Sequence, residues 1–422
     1  MKLLSDLKEW MRSQVSQPVS NPKFAPDENS DPSTIICRVT ACHSVKHSGH
    51  GLRAIILTGS MARGEGTYIT QDGGVRVMGD AEFLLVFRDR ASVPSAGKMG
   101  GIRDDIENLL AAQGISCAVG LSAVPTSFLA ESRPHVFAYE LRSWGKVIWG
   151  EQEILNLMAA FEPSDIPLED AWRLLQNRVV EMLQFPDDFT GIWTALPVET
   201  HYRTVKLYLD MATSFLLFAG AYSPTYRQRV EKLRELVPRE DKENWPFPME
   251  GFVQEVAACT DWKLGGTTEP TSWDSNFWLK AVLCARQLWR WELVRLSDAP
   301  SDAADRNLFS AWMQKQSYEQ RLRGWLFVLR HEGWLHSWRQ WPRWARRAWQ
   351  ASPRYWIYLA ASEFLFGFAE ALKSGTAEDG SQFSSVLDYL PLSRDRRDKS
   401  GWPEIAREIY FNYRQLLVET RL

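Results

Sequence analysis

The sequence predicts an α+β protein, with a small mixed sheet in the first 160 residues and a large all-helical region after it. Three observations predict it. Between about residues 50 and 150, short apolar runs of strand composition alternate with a helical pattern, as in a sheet with helices packed on it. From Leu168 onward, apolar residues instead recur at three- and four-residue steps, the period of helices with one buried face. The chain has 422 residues and 45% hydrophobic content, enough for more than one core.

Composition narrows the function classes. A net charge of −3 gives no overall pull toward nucleic acid or anionic membranes. Five scattered cysteines fit a reducing compartment better than a disulfide framework, so a cytoplasmic location is expected. Met1 to Trp10 reads as an amphipathic helix with charges spread through it, not as a secretory leader. The nearest approach to a spanning segment, Phe215 to Tyr222, falls well short of the ~18 apolar residues required, and no membrane partner is expected.

The elements follow in order. Residues 15–34, rich in Pro, Ser, Asn and Asp, read as a linker after the first helix. Cys37, Cys42, His43, His47 and His50 lie within fourteen residues, but without a Cys-x-x-Cys knuckle they read as a helix with a solvated face, not a zinc site. A strand from Ala54 to Leu57 ends in Gly59-Ser60 and a glycine-rich turn through Thr67. Thr67 to Thr70 and Val75 to Met78 flank Gln71-Asp72-Gly73-Gly74, a hairpin pattern. The hairpin runs into Gly79-Asp80-Ala81-Glu82 and an interior strand, Phe83 to Phe87. A helical pattern at 100–114 leads to a strand from Ile115 to Val119. His135 to Leu141 reads as an apolar strand with Glu140 set into it, and Lys146 to Gly150 as a short closing strand.

Asp80 and Glu82 carry the chemistry. They stand two apart in an apolar strand, so the period of two points both to one face. Two like charges that close repel and carry a desolvation cost, which a bound cation relieves. Carboxylate oxygens with few histidines nearby suit Mg2+, or Mn2+, better than zinc. The glycine-rich turn upstream allows backbone N–H groups to approach phosphate oxygens.

A strand, Gly59-Ser60, a spacer, then Asp80 and Glu82 separated by one residue resemble the nucleotidyltransferase superfamily typified by DNA polymerase β. The resemblance covers residues 50 to 150 and implies transfer of a nucleoside monophosphate from a nucleoside triphosphate, with ATP the first expectation, to a hydroxyl acceptor, with pyrophosphate leaving. It implies that Gly59 and Ser60 hold the β and γ phosphates and that Asp80 and Glu82 bridge the metals. A third carboxylate, for which Glu140 is the candidate, would act near the acceptor as base or metal ligand. Arg63 is a further candidate for a phosphate contact. Two features depart from the pattern. The spacer from Ser60 to Asp80 is 19 residues, long enough to contain the hairpin, and glutamate replaces the commoner aspartate at position 82.

Helices are expected at 171–183, 200–219, 224–236, 275–297, 308–332, 336–350, 354–373 and 403–420, with breaks at 297–305 and 374–381. The organisation expected is an N-terminal helix and linker at 1–34, a nucleotidyltransferase-like domain at 35–160, a helical domain at 161–298 and a tryptophan-rich helical region at 299–422. The helix from Tyr202 to Asp210 is similar to one that follows the catalytic sheet in polyadenylating relatives, which makes Lys206 the candidate triphosphate-binding lysine. Asn177, Arg178, Glu181, Tyr226, Arg227 and Arg229 are cleft candidates. Fourteen of twenty tryptophans lie between Trp262 and Trp402, interleaved with arginine, and their near-helical spacing reads as core rather than as a nucleic-acid platform. Arg330 and His336 form a weak nuclease-like pair. The acceptor stays open among a small molecule, a protein, an RNA end and a nucleotide. The alternative is a catalytically inactive relative that binds nucleotide or a protein partner.

Overall fold

The computed structural model describes residues 31–71, 73–184, 196–238, 245–265, 275–333, 340–376, 380–392 and 401–418. The expected helix at 1–10, Asp72 of the hairpin turn, and His336 with Trp334 and Trp338 lie outside the described residues. The architecture is α+β: a five-stranded mixed sheet followed by helices.

The described chain begins with α1 (Pro32–His47), started by Asp31, whose carboxylate accepts from the Ser33 N–H, with Pro32 at the first position. Strand β1 (Leu52–Leu57) follows, then a one-turn helix, Gly59–Ala62. β2 (Thr67–Gln71) and β3 (Gly74–Phe87) form the expected hairpin. β3 pairs antiparallel with β1 along one flank and parallel with β4 (Ile115–Pro125) along the other. The crossover between β3 and β4 is α2 (Ala96–Ala111), as a parallel pair requires. β5 (Lys146–Gly150) closes the sheet against β1.

The alternation along β3 sorts its neighbours. Ala81, Phe83, Leu85 and Phe87 pack into a cluster with Ile36 of α1 and Ile102, Ile106 and Leu110 of α2. On the opposite face, Leu84 and Val86 join Ala138 and Leu141. These last two belong to α3 (Val136–Trp144), which corrects the expectation of a strand at 135–141. Both states tolerate a short apolar run, and here His135 decides: its imidazole accepts from the Ala138 N–H as an N-cap. Glu140 therefore rides on a helix.

The helical region comprises α4 (Leu168–Glu181), α5 (Val198–Phe218), α6 (Tyr226–Leu236), α7 (Met249–Gly265), α8 (Ser275–Ser297), α9 (Asp305–Gln314), α10 (Tyr318–Glu332), α11 (Trp341–Gln350), α12 (Pro353–Ser374) and α13 (Trp402–Tyr413). The single helix expected at 308–332 is two, and α7 has no counterpart among the expected helices. One core runs through these helices, with Trp172, Trp278, Trp289, Tyr358 and Phe364 fully buried. Helices before and after the 297–305 break share it, and most of the described tryptophans serve as core. Met78 of β3 also belongs to this core. Among the described residues, no helix is long and apolar enough to cross a membrane.

Gly150 ends β5 at φ +91°, and a Cβ there would lie 2.0 Å from the Arg53 carbonyl oxygen and 2.9 Å from Ala54 Cα. Backbone cannot yield as a side chain can. Gly150→Ala is expected to lower the unfolding free energy by about 2–4 kcal/mol, read from urea denaturation; an unchanged midpoint would mean that β1 and β5 do not hold this register.

Candidate functional site

Met78, Asp80, Glu82, Leu84 and Val86 share one face of β3. Met78 is buried under the helical region, Leu84 and Val86 under α3, and only Asp80 and Glu82 between them are exposed. Gly79 makes this possible. It bulges the strand at φ +101°, and the Tyr202 hydroxyl, which donates to the Met78 carbonyl at 2.6 Å, passes where a Cβ would stand. The register against β4 slips by two residues at this point, so the faces do not exchange.

The glycine turn closes on Glu82 from the β1 flank. The Thr58 N–H donates to the Glu82 carbonyl at 2.8 Å. Gly59 takes φ +67°, and a Cβ on it would lie 2.2 Å from Glu82 Oε2. Only glycine satisfies both the backbone angle and the approach of the carboxylate. Ser60 follows, half-buried at the start of the one-turn helix. Glu82 is exposed as a residue, but its carboxyl tucks against Gly59 and is pushed above the ordinary range. Burial is the largest cause; Lys206 opposes it, and Asp80 and then Glu140 add to it. Lys206, half-buried on α5, thus meets Glu82 electrostatically, and its ammonium sits 5.7 Å from the centre of the Tyr202 ring.

Two sequence candidates have different surroundings from those expected. Arg63 has a side chain only 4% exposed and donates to Glu65 at 2.8 Å and to Glu140 at 2.5 Å. It points into a buried network, not into the cleft. Glu140 accepts from Arg63 on one oxygen, and from Arg229 at 2.8 Å and Tyr222 at 2.6 Å on the other. Both its oxygens are engaged, although its charge still reaches Glu82. Where a third carboxylate on the neighbouring strand would stand, the residues facing Asp80, Glu82 and Leu84 are Ala118, Gly120 and Ser122.

Two groups without a sequence signal complete the arrangement. Glu65 accepts from the backbone N–H of Tyr226 at 2.7 Å, fastening the glycine turn to α6. Lys263 of α7 is 1% exposed; its ammonium donates to the Thr67 hydroxyl at 2.9 Å, and that hydroxyl donates to the Lys263 carbonyl at 3.0 Å. Burial, then repulsion from Lys206, lower its pKa to about 7. These contacts span up to 196 residues of sequence, beyond the reach of any local pattern. Arg178, another cleft candidate, is held by Asp210 at 2.7 Å and by Glu181.

A divalent cation fits the exposed pair in part. Two adjacent carboxylates with hard oxygens suffice for Mg2+ when phosphate and water supply the other ligands. Among the described residues, no group of three or more His, Cys, Asp or Glu side chains is arranged to hold a metal, which applies equally to the Cys37 to His50 cluster. There His43 and His47 stack on α1, 4.2 Å apart, and His43 Nε2 lies 3.3 Å from the Asp105 carboxylate of α2.

No family model matches the sequence, and no curated protein matches it. Among solved structures the chain is similar to the spectinomycin adenyltransferase AAD(9) from Enterococcus faecialis, determined with ATP and spectinomycin. The TM-score is 0.35 and the identity 13%, over 60% of this chain and 98% of that one. A likeness this slight carries no argument about the site.

Glu140→Gln leaves the buried Arg63 and Arg229 short of a counter-charge and is expected to cost about 3 kcal/mol of unfolding free energy with or without Mg2+. A loss seen only in the presence of Mg2+ would make Glu140 a metal ligand instead. For Lys263 the unfolded chain keeps its proton up to about 10.5 while the folded chain releases it near 7. Between those values the unfolded state binds more protons, so stability rises with pH. The stability difference between the wild type and Lys263→Met should therefore move in favour of the wild type from pH 7 to 10, by at most about 1.4 kcal/mol per pH unit. A difference that is flat across urea titrations at pH 7, 8 and 9 would show that the amine keeps its charge.

Proposed function

We propose that this chain transfers a nucleoside monophosphate from a nucleoside triphosphate to an acceptor, with release of pyrophosphate. The observation that supports this reading is the exposed pair Asp80 and Glu82, left open between two apolar clusters on one strand face, with Gly59 against Glu82. In this reading Asp80 and Glu82 would hold Mg2+ or Mn2+, which when bound neutralises triphosphate charge and makes the α-phosphorus more electrophilic. The turn at Gly59 and Ser60 offers backbone N–H groups to the β and γ phosphates. Lys206, on the helix facing Glu82, draws the triphosphate toward the pair and balances charge on the leaving pyrophosphate. Arg63, Glu65, Glu140 and Arg229 act as positioning residues, holding the turn at a fixed distance from the helices.

A second reading, nucleotide binding without transfer, draws support from β4, where Ala118, Gly120 and Ser122 supply no third carboxylate. Incubation with α-labelled ATP and Mg2+, beside Asp80→Ala and Glu82→Ala, separates the two. Transfer predicts pyrophosphate release and movement of the label, both lost at least about a hundredfold in either variant. Lys206→Ala should weaken Mg2+-dependent ATP binding by about tenfold while the free protein still binds Mn2+. Metal-dependent ATP binding with no transfer to any acceptor would favour the binding-only reading.

A further inference from the structure

A cavity of about 280 Å3 opens beside Asp80, on the flank of β3 away from the glycine turn. Its walls include Arg76, Asp80, Ser116, Glu199, Tyr202 and Arg203. In-line displacement sets the incoming acceptor and the departing pyrophosphate on opposite sides of the α-phosphorus. With phosphates at the turn on the β1 flank, the acceptor would arrive from the β4 flank, through this cavity. Both this direction of approach and the chemistry of the acceptor rest on the nucleotide-transfer reading.

A neutral hydroxyl needs a group to take its proton, and apart from Asp80 and Glu82, which this reading commits to the metal, the nearby candidates among the described residues are absent or already engaged. Ala118, Gly120 and Ser122 face the pair from β4. Both oxygens of Glu140 accept from Arg63, Arg229 and Tyr222. Glu199 is bound to Arg76 at 2.9 Å; burial pushes its carboxyl up, but hydrogen bonds from its own backbone N–H and from Arg76 outweigh that and hold it below the ordinary range. Lys263 is sealed against Thr67.

Arg203 points the same way from the opposite charge. It is half-buried, its guanidinium donates to the Gln184 carbonyl at 2.7 Å, and among the described residues no carboxylate lies within salt-bridge distance of it. Tyr410, Glu199 and Glu181 favour its charge only from a distance, while burial and Arg178 oppose it; a half-buried guanidinium whose direct partner is a neutral carbonyl is suited to a bidentate oxyanion.

We infer that the acceptor is an oxyanion already ionised at neutral pH, a carboxylate or a phosphate monoester, which Arg203 and Arg76 bring to Asp80. Its anionic oxygen forms the new bond to the α-phosphorus, the bond from that phosphorus to the bridging oxygen breaks, and pyrophosphate leaves with the electron pair. No proton has to be removed, so the absence of a third carboxylate from β4 costs the reaction nothing. The product is a mixed anhydride: an acyl nucleotide from a carboxylate, a pyrophosphate-linked nucleotide from a phosphate ester.

The test loads the full-length protein with α,β-methylene ATP and Mg2+, so that the glycine turn is occupied, and titrates phenylphosphonate and benzoate by calorimetry. Saturable binding of at least one is expected, weakened at least about tenfold in Arg203→Gln and less in Arg203→Lys, with the affinity for α,β-methylene ATP within about twofold of wild type. Arg76→Gln, at a more exposed position, should weaken the same anion and guards against a folding defect at Arg203. Binding of phenylphosphonate alone marks a phosphate-ester acceptor, and binding of benzoate alone a carboxylate. Binding of neither, binding indifferent to both arginines, or transfer of label from ATP to glycerol but not to glycerol 3-phosphate or acetate would overturn the inference and leave nucleotide transfer standing. Failure of α,β-methylene ATP to bind at all would bring down both.

Discussion

The structure turns on the burial sequence along one face of β3. Met78, Leu84 and Val86 are covered by two different sets of helices, and the two carboxylates between them are left open because neither set reaches across. A carboxylate under either cover would need a partner or would be neutralised. Gly79 sets the register of that gap, and the hydroxyl of Tyr202 locks it by donating to the Met78 carbonyl. Every other feature of the cleft is placed relative to these few residues.

Around the gap lies a network of buried charge. Arg63, Glu65, Glu140 and Arg229, with Tyr222, tie the glycine turn to α3 and α6. Buried ion pairs of this kind add little net stability, since desolvation offsets most of the Coulomb gain. Their directional hydrogen bonds do fix one arrangement of the turn against Glu82. Lys263 and Thr67 do the same for the root of the hairpin.

What is legible in the sequence is local. The hairpin shows in its turn residues, the acid pair in its period, and most of the helices in their apolar spacing. The strand reading of 135–141 misleads because a run of apolar residues with one acid suits either state, and only the cap at His135 and cover from the sheet decide it. Arg63 reads as a phosphate contact because it lies close after Gly59-Ser60; its true partners, Glu65 and Glu140, are two and 77 residues away. Lys263 carries no local signal at all, since its meaning comes from a hydroxyl 196 positions upstream. Whether a third carboxylate stands beside the pair depends on strand pairing, which puts Ala118 and Gly120 opposite Asp80 and Glu82.

The place of Met78 in the helical core has a consequence for modularity. A strand that lends a side chain to its neighbour's interior, and takes a hydroxyl from that neighbour in return, does not belong to one unit. Cutting the chain after β5 would expose Met78, orphan the Met78 carbonyl and release Thr67 from α7. The sheet is therefore not a cassette that could be excised or recombined with a foreign helical partner. Any functional transplant of this cleft has to carry α5, α6 and α7 with it, and, because those helices share one core with α8 to α13, the helices beyond Gly265 as well.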